Sequence, residues 1–365
     1  MTGPLARRAL GRTGLEVTVL GFGTAPLGNL FEHLDEATAH AATLEALDRG
    51  INLFDTAPLY GHGLAELRVG AALREGQHRH PREDLVVSTK VGRWMDPHEK
   101  PVGAMTPAKP KDASADTAAV ISPGFVGALP HRAVFDYSHD GTLRSIEQSL
   151  LRLGLDRLDI VLIHDVDVWT HGAASIDARF KEAMDGAYRA LERLRSEGVV
   201  KAIGVGVNES EMCERFAHAG DFDTMLLAGR YSLLEQPALD TFLPLAQAKG
   251  IAILLGGVFN SGILATGAVP GARYNYREAP PEVMARVQRI EAVCAAHGVK
   301  LVDAALQFAL AHPAVSSLVL GAVTPIEVQR NLVSLRASVP AAFWSAMREQ
   351  GLLAANAPTP AGPAA

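Results

Sequence analysis

Asp55, Tyr60, Lys90 and His164 are ionisable groups of four different kinds, and they follow closely on the short apolar runs INLF (51–54), LVVS (85–88) and DIVLI (159–163). Such a set suits proton transfer by a phenol. A free tyrosine ionises near pH 10, too high to exchange a proton efficiently at neutrality, but an ammonium within hydrogen-bond reach favours the phenolate. Lys90 supplies the ammonium, Asp55 pairs with it and holds it charged, and the His164 imidazole can hydrogen-bond a substrate oxygen as charge develops there. The group contains no evident nucleophile. Polarising a carbonyl in this way therefore calls for a hydride from outside, which is nicotinamide chemistry.

Converging side chains need a scaffold. Eight short, apolar, β-branched runs recur along the chain: VTVL (17–20), INLF (51–54), LVVS (85–88), DIVLI (159–163), AIGV (202–205), DTMLL (223–227), IAILL (251–255) and SLVL (317–320). Each reads as a buried parallel strand. Between them apolar residues recur at helical spacing, as in Leu34, Ala37, Ala41, Leu44 and Leu47, or Phe180, Met184, Ala187, Leu191 and Leu194. Strand and helix alternate with no linker between halves. The pattern predicts an α/β fold, a single (β/α)8 TIM barrel over residues 1–353, in which whatever follows each strand opens onto one mouth. The opening RRALGRTGLEVTVLGFG predicts an N-terminal hairpin, turning at Arg12–Gly14, that caps the barrel floor. Residues 95–137, rich in Pro, Gly and Ala, form a long loop after strand 3 and read as a partly mobile lid. The tail 354–365 offers little to bury and is expected to be disordered.

Composition narrows the partners. The net charge of −6 comes from interspersed acids and bases without a Lys/Arg block, so nucleic acid is not an expected partner. Arg7 and Arg8 precede GRTGLEV and not an apolar stretch, and the most apolar run, IAILLGGVF (251–259), is about half a membrane span. Neither export nor a membrane is expected. Cys213 and Cys294 lack CxxC-type partners, as in a reduced cytoplasmic protein. His164, Asp165 and Asp167 invite a metal, but strand alternation aims Asp165 away from His164 and no HxH or HxxxH pair assists; no metal is expected.

The segments FDTAPLYGHG (54–63), VVSTKVG (86–92) and LDIVLIHD (158–165) resemble, in order and at the expected strand ends, the catalytic motifs of the aldo-keto reductases. The resemblance covers nearly the whole chain. It implies Tyr60 as general acid/base, Lys90 as its activator, Asp55 as the partner of Lys90, His164 as the ligand of the substrate oxygen, and NAD or NADP as cofactor. GFGTAPLG (21–28) lacks the glycine spacing of a dinucleotide fingerprint, so Gly23 and Thr24 are read as lining the cofactor mouth beside Asp55. Asn208 stands where many family members place a Ser-Asn pair on the nicotinamide carboxamide, Ala228 where they have Gln, and Gly256 where an aromatic stacks on the ring. Arg230 and Tyr231 are candidates for touching cofactor or substrate. GAVTPIEVQRNL (321–332) resembles the segment that grips an adenosine 2′-phosphate, with Gly321 in place of the usual Lys and Glu327 in place of Arg; Asn331 completes it. NAD is therefore expected to be preferred and NADP to remain possible.

DYSHDG (136–141), LLRLGLDRLDIVLIHDVD (150–167), GVGVNE (204–209) and LAGRYSLLEQ (227–236) are similar to one branch of the family, the aldose 1-dehydrogenases of L-fucose, L-galactose or D-arabinose together with pyridoxal 4-dehydrogenase. That resemblance implies oxidation of a cyclic hemiacetal to a lactone. The excursion at 95–137 reads as the substrate wall, with Trp94, Phe125 and Tyr137 as candidate contacts to the substrate ring beside His164. The alternatives are an NADPH-dependent reductase of reactive aldehydes and a cofactor-sensing regulatory subunit. The intact Asp55, Tyr60, Lys90 and His164 speak against the second.

Overall fold

Eight parallel strands close on themselves in the computed structural model, which describes residues 3–97 and 124–360. Leu20–Gly23 pairs with Leu53–Asp55, and the circle continues through Val86–Val91, Ile160–His164, Ala202–Val207, Thr224–Ala228, Ala252–Gly256 and Val315–Gly321 back to the first strand. Helices outside the strands complete the expected (β/α)8 barrel. Their ends follow local chemistry: the Asp35 carboxylate accepts the Thr38 N–H at 2.9 Å to start Glu36–Asp48, and Ser138 caps His139–Leu153, which Gly154 ends at φ 61°.

The floor is closed by the N-terminal hairpin, Arg7–Ala9 against Glu16–Thr18. Leu10 and Val17 are wholly buried among Leu53, Val86, Ile160, Leu162 and Leu254 inside the barrel, each contributing about 1.5–3 kcal/mol by burial. Polar groups inside the barrel can thus meet solvent only at the opposite mouth. The run read as one strand at 17–20 is in fact two elements. Thr18 ends the hairpin with its N–H and hydroxyl on Asn52 Oδ1 (2.7 and 3.1 Å), and the barrel strand begins only at Leu20. Two adjoining apolar stretches share one periodicity, so the break is invisible to pattern alone.

The helical stretch around 180–194 contains a π-helical turn, Ala183–Tyr188, between Ile176–Glu182 and Arg189–Ser196. Its Ala187 N–H bonds the Tyr137 carbonyl at 2.8 Å. A Cβ on Gly186 would lie 2.3 Å from that carbonyl oxygen. The widened turn lets the helix approach residue 137 closely.

The expected lid has paired ends, Arg93–Asp96 running antiparallel to Arg132–Phe135, while its span 98–123 lies outside the described residues. The tail corrects an expectation. Ala357 is buried, and Arg348 donates to its carbonyl and to Thr359 Oγ1 at 2.9 Å each, so the chain is docked as far as Thr359. A small residue and a backbone carbonyl suffice for docking, which a search for large apolar side chains overlooks. Residues 361–365 lie outside the described set. No single helix among the described residues is long and apolar enough to cross a membrane.

Candidate active site

The strand ends bring the chemistry together. In Leu53–Asp55 and Val86–Val91 the register sets Asp55 opposite Ser88, so that Lys90 reaches back across the barrel interior. Lys90 Nζ lies 2.7 Å from Asp55 Oδ2 and 2.8 Å from the Thr56 carbonyl, and Ser88 Oγ holds Asp55 Oδ1 at 2.8 Å. Gly206 lies alongside the Lys90 stem, where a Cβ would stand 3.4 Å from Lys90 Cε, an ordinary van der Waals contact. Nζ sits 4.9 Å from the Tyr60 ring centroid, and the His164 ring meets Tyr60 edge-on at 6.0 Å between centroids. All four expected groups therefore face one another.

Electrostatics refines their roles. Burial pushes the Tyr60 phenol above its ordinary range and outweighs the pull of Lys90 in the opposite direction, which corrects the expectation of a lowered value. Lys90 is disfavoured as a cation by burial, yet the Asp55 and Tyr60 charges win and raise it, so it stays an ammonium. His164 is held well below 6.5 by burial and then by Arg93 and Lys90, so it is neutral. Arg93 Nη1 approaches His164 Nδ1 at 3.4 Å, and a guanidinium only donates, so Nδ1 accepts and Nε2 carries the hydrogen. A proton-bearing phenol, an ammonium and a neutral N–H donor around one cavity can move a proton to or from an oxygen.

Two connected spaces open at this mouth. The smaller, ≈ 880 Å³ including its open part, is lined by Tyr60, Lys90, Arg93, His164 and Asp165, with Phe125, Trp169 and Tyr276 as aromatic walls. The larger, ≈ 1500 Å³, runs along Gly23, Thr24, Asn208, Arg230, Gly256 and Gly321. Its size and its walls of bare glycine backbone suit a dinucleotide. The buried Thr24 hydroxyl, which has no hydrogen-bond partner among the described residues, is a ready contact for one. Asn208 is oriented by Asp167, whose Oδ2 takes both its backbone N–H (2.9 Å) and its side-chain Nδ2 (3.1 Å). Arg230 is tied to the Asn208 carbonyl at 2.9 Å and to Glu235 at 3.1 Å.

Several expected contacts are not there. Tyr137 is fully buried behind the site, its hydroxyl donating to the His164 carbonyl at 2.8 Å, so it positions the histidine and meets no substrate. Trp94 points outward beneath Arg144, 4.6 Å from the ring centroid, because alternation along Arg93–Asp96 turns Arg93 and Met95 inward. Tyr231 packs on Phe308 and His312, away from the mouth. Glu327 and Asn331 do not line the cleft. Glu327 is the first-turn acid of the helix Pro325–Leu335, its carboxylate accepting the Val323 N–H at 2.8 Å while Thr324 caps its own N–H. T-P-I-E is a capping-box pattern, so that duty was open to a sequence reading.

Residues not expected to line it complete the cavity. Asp165 has φ 55°, and this left-handed turn swings its carboxylate back beside His164, Oδ1 lying 3.4 Å from Nε2; simple alternation, which aimed it away, does not apply. Arg93 grips Asp165 Oδ2 at 2.8 Å. Asn275 and Tyr276, both left-handed, form the two-residue turn between Arg273–Tyr274 and Arg277–Glu278, and that turn places Tyr276 over both spaces. An Asn-led pair between short strands is the usual hairpin signal, here with Tyr where Gly is common.

The chain is 42% identical over 347 residues, 95% of its length and 98% of the relative's, to a pyridoxal 4-dehydrogenase of Microbacterium luteolum. It is 37% identical to a D-threo-aldose 1-dehydrogenase of Pseudomonas sp, over 96% of this chain and 98% of the other. Among solved structures, the holo form of the aldo-keto reductase AKR11C1 from Bacillus halodurans superposes with a TM-score of 0.70 at 25% identity, covering 96% of this chain and 97% of that one. The Aldo/keto reductase family model matches residues 19–350, and with the barrel and its converging tyrosine, lysine, aspartate and histidine this makes the chain an NAD(P)-dependent oxidoreductase of the aldo/keto reductase family.

Proposed function

We propose that this protein oxidises a cyclic hemiacetal, an aldose in its ring form, to the corresponding lactone, with NAD preferred over NADP. The observation that carries the reading is the smaller cavity, where the proton-transfer groups Tyr60 and Lys90 share a chamber with the charged Arg93 and Asp165. A ring bearing several hydroxyls can hydrogen-bond to such a wall at more than one point, whereas a small reactive aldehyde has no hydroxyls to offer it.

Gly23, Thr24, Asn208, Arg230 and Gly321 are the residues that would hold the dinucleotide. When bound, the nicotinamide supplies the acceptor for the hydride leaving the anomeric carbon. His164 Nε2–H binds the anomeric oxygen, and Tyr60, once ionised, takes that oxygen's proton as the exocyclic C–O becomes a carbonyl. Lys90 offsets the phenolate charge and Asp55 keeps Lys90 in place. Since burial raises the Tyr60 value, oxidation is expected to accelerate as pH climbs above neutrality. NAD is favoured because neither Gly321 nor Glu327 offers a cation to a 2′-phosphate.

A second reading, oxidation of the internal hemiacetal of pyridoxal, is supported by the aromatic walls Phe125, Trp169 and Tyr276 and by the 42% identical relative. A panel of aldoses and pyridoxal with NAD and NADP, followed by absorbance of the reduced nicotinamide, tests both. Turnover only of aldehydes with NADPH would reverse the proposed direction.

A further inference from the structure

The proton-transfer chemistry of Tyr60 and Lys90 makes no use of the carboxylate of Asp165, yet the fold goes to some length to present it. Asp165 adopts a backbone conformation that residues other than glycine seldom hold, φ 55°. The turn is fixed from behind. The Asp165 N–H bonds the Gly206 carbonyl at 2.9 Å, and the buried Tyr137 hydroxyl lies 2.8 Å from the His164 carbonyl and 3.4 Å from that of Asp165. Strain that is over-determined in this way is a mark of a site.

The two carboxylate oxygens differ in their surroundings. Oδ2 is gripped by Arg93 at 2.8 Å, and Arg93 is itself clamped under the Phe135 ring at 4.2 Å. Oδ1 has His164 Nε2 near it, at 3.4 Å, longer than a good N–H···O bond, and Asp165 lines the chamber shared with Tyr60 and Lys90. An acceptor beside the imidazole that binds the reacting oxygen is placed for the next oxygen along a sugar. We propose that Asp165 Oδ1 accepts the hydroxyl on the carbon adjacent to the one oxidised, which makes Asp165 the specificity-determining residue for hydroxylated hemiacetals and Arg93 the residue that positions it. This inference rests on the hemiacetal-oxidising reading above.

The test is the ratio of kcat/KM for an aldose to that for its 2-deoxy counterpart, in the unaltered protein and in Asp165→Asn. Asn tolerates the left-handed conformation and keeps an oxygen for Arg93, but it presents no charged acceptor. The unaltered protein should favour the aldose, and the variant's ratio should fall by about tenfold or more, as for loss of a hydrogen bond to a charged group, with dinucleotide affinity retained as the measure of an intact fold. Arg93→Lys, which keeps the charge but grips the carboxylate less firmly, should lower the ratio in the same direction, and it serves if Asp165→Asn does not fold. An unchanged ratio in a folded variant overturns the role of Asp165 while leaving hemiacetal oxidation standing. Failure of the unaltered protein to oxidise any aldose overturns the reading and the inference together.

Discussion

Lys90→Met removes a single positive charge from beside Tyr60 and should move the alkaline limb of the pH profile upward. At 4.9 Å from the ring centroid, with an effective dielectric of about 20, the ammonium favours the phenolate by about 3 kcal/mol, or about 2 pH units. Burial already raises the Tyr60 value, so at pH 8 the ionised fraction, and oxidation with it, should fall roughly a hundredfold. The substitution also strands Asp55, leaving a carboxylate only 2% exposed with Ser88 but without its cation, at a cost of about 3–5 kcal/mol. Lys90→Met combined with Asp55→Asn should recover most of that stability and show a smaller displacement, because the Asp55 charge raises the Tyr60 value and its loss offsets part of the loss of Lys90. The assay is kcat/KM for oxidation from pH 6 to about 11, alongside a thermal melt of each variant. A limb that stays in place in both proteins would refute the coupling of Lys90 to Tyr60.

Three further outcomes are expected. The kcat/KM of the unaltered protein should be higher with NAD than with NADP, and Glu327→Arg should shift the preference toward NADP by roughly fivefold, the modest effect of a partly solvated charge; a preference that does not move would show that this helix start is remote from the 2′-phosphate. Gly321→Lys is the poorer control, since a Cβ there would sit 2.6 Å from Pro26 Cγ. Burial holds His312 at about 4, below its unfolded value near 6.5, so the unfolded chain binds the extra proton first and stability falls as pH drops below 6.5, by about 2 kcal/mol at pH 5 from this residue alone. Chemical denaturation at the two pH values measures it, and an equal midpoint would contradict it. Gly186→Ala should destabilise by roughly 1–3 kcal/mol through its clash with the Tyr137 carbonyl and should lower kcat through the Tyr137–His164 contact; a variant with native stability and rate would leave the π-helical turn without the role given to it.

The barrel was legible because strands buried on both faces write near-continuous apolar runs, and because residues just beyond such strands must converge. That reasoning located Asp55, Tyr60, Lys90 and His164 without knowledge of a single contact. It failed wherever one backbone dihedral decides direction. Asp165 was aimed outward by alternation and inward by its positive φ. Tyr137 reads as a ring contact because it is aromatic and ends the excursion expected to form the substrate wall, but the π-helical turn packed against it has no separate signature in an apolar spacing of three and four. Trp94 is the opposite case: alternation along Arg93–Asp96 was available, and it would have turned the indole outward had the strand after Val91 been recognised. Glu327 shows a capping pattern and a ligand-binding reading competing for one residue, with local hydrogen bonding winning.

The most direct test of the account uses an aldose deuterated at the anomeric carbon, with NAD, the unaltered protein and Tyr60→Phe. The account predicts that the deuterium appears in the reduced nicotinamide, that the sugar is recovered as its lactone without the label, and that Tyr60→Phe slows the reaction at least about a hundredfold while binding dinucleotide as before. Label retained in the sugar or lost to water, or a Tyr60→Phe protein of near-native rate, would contradict it.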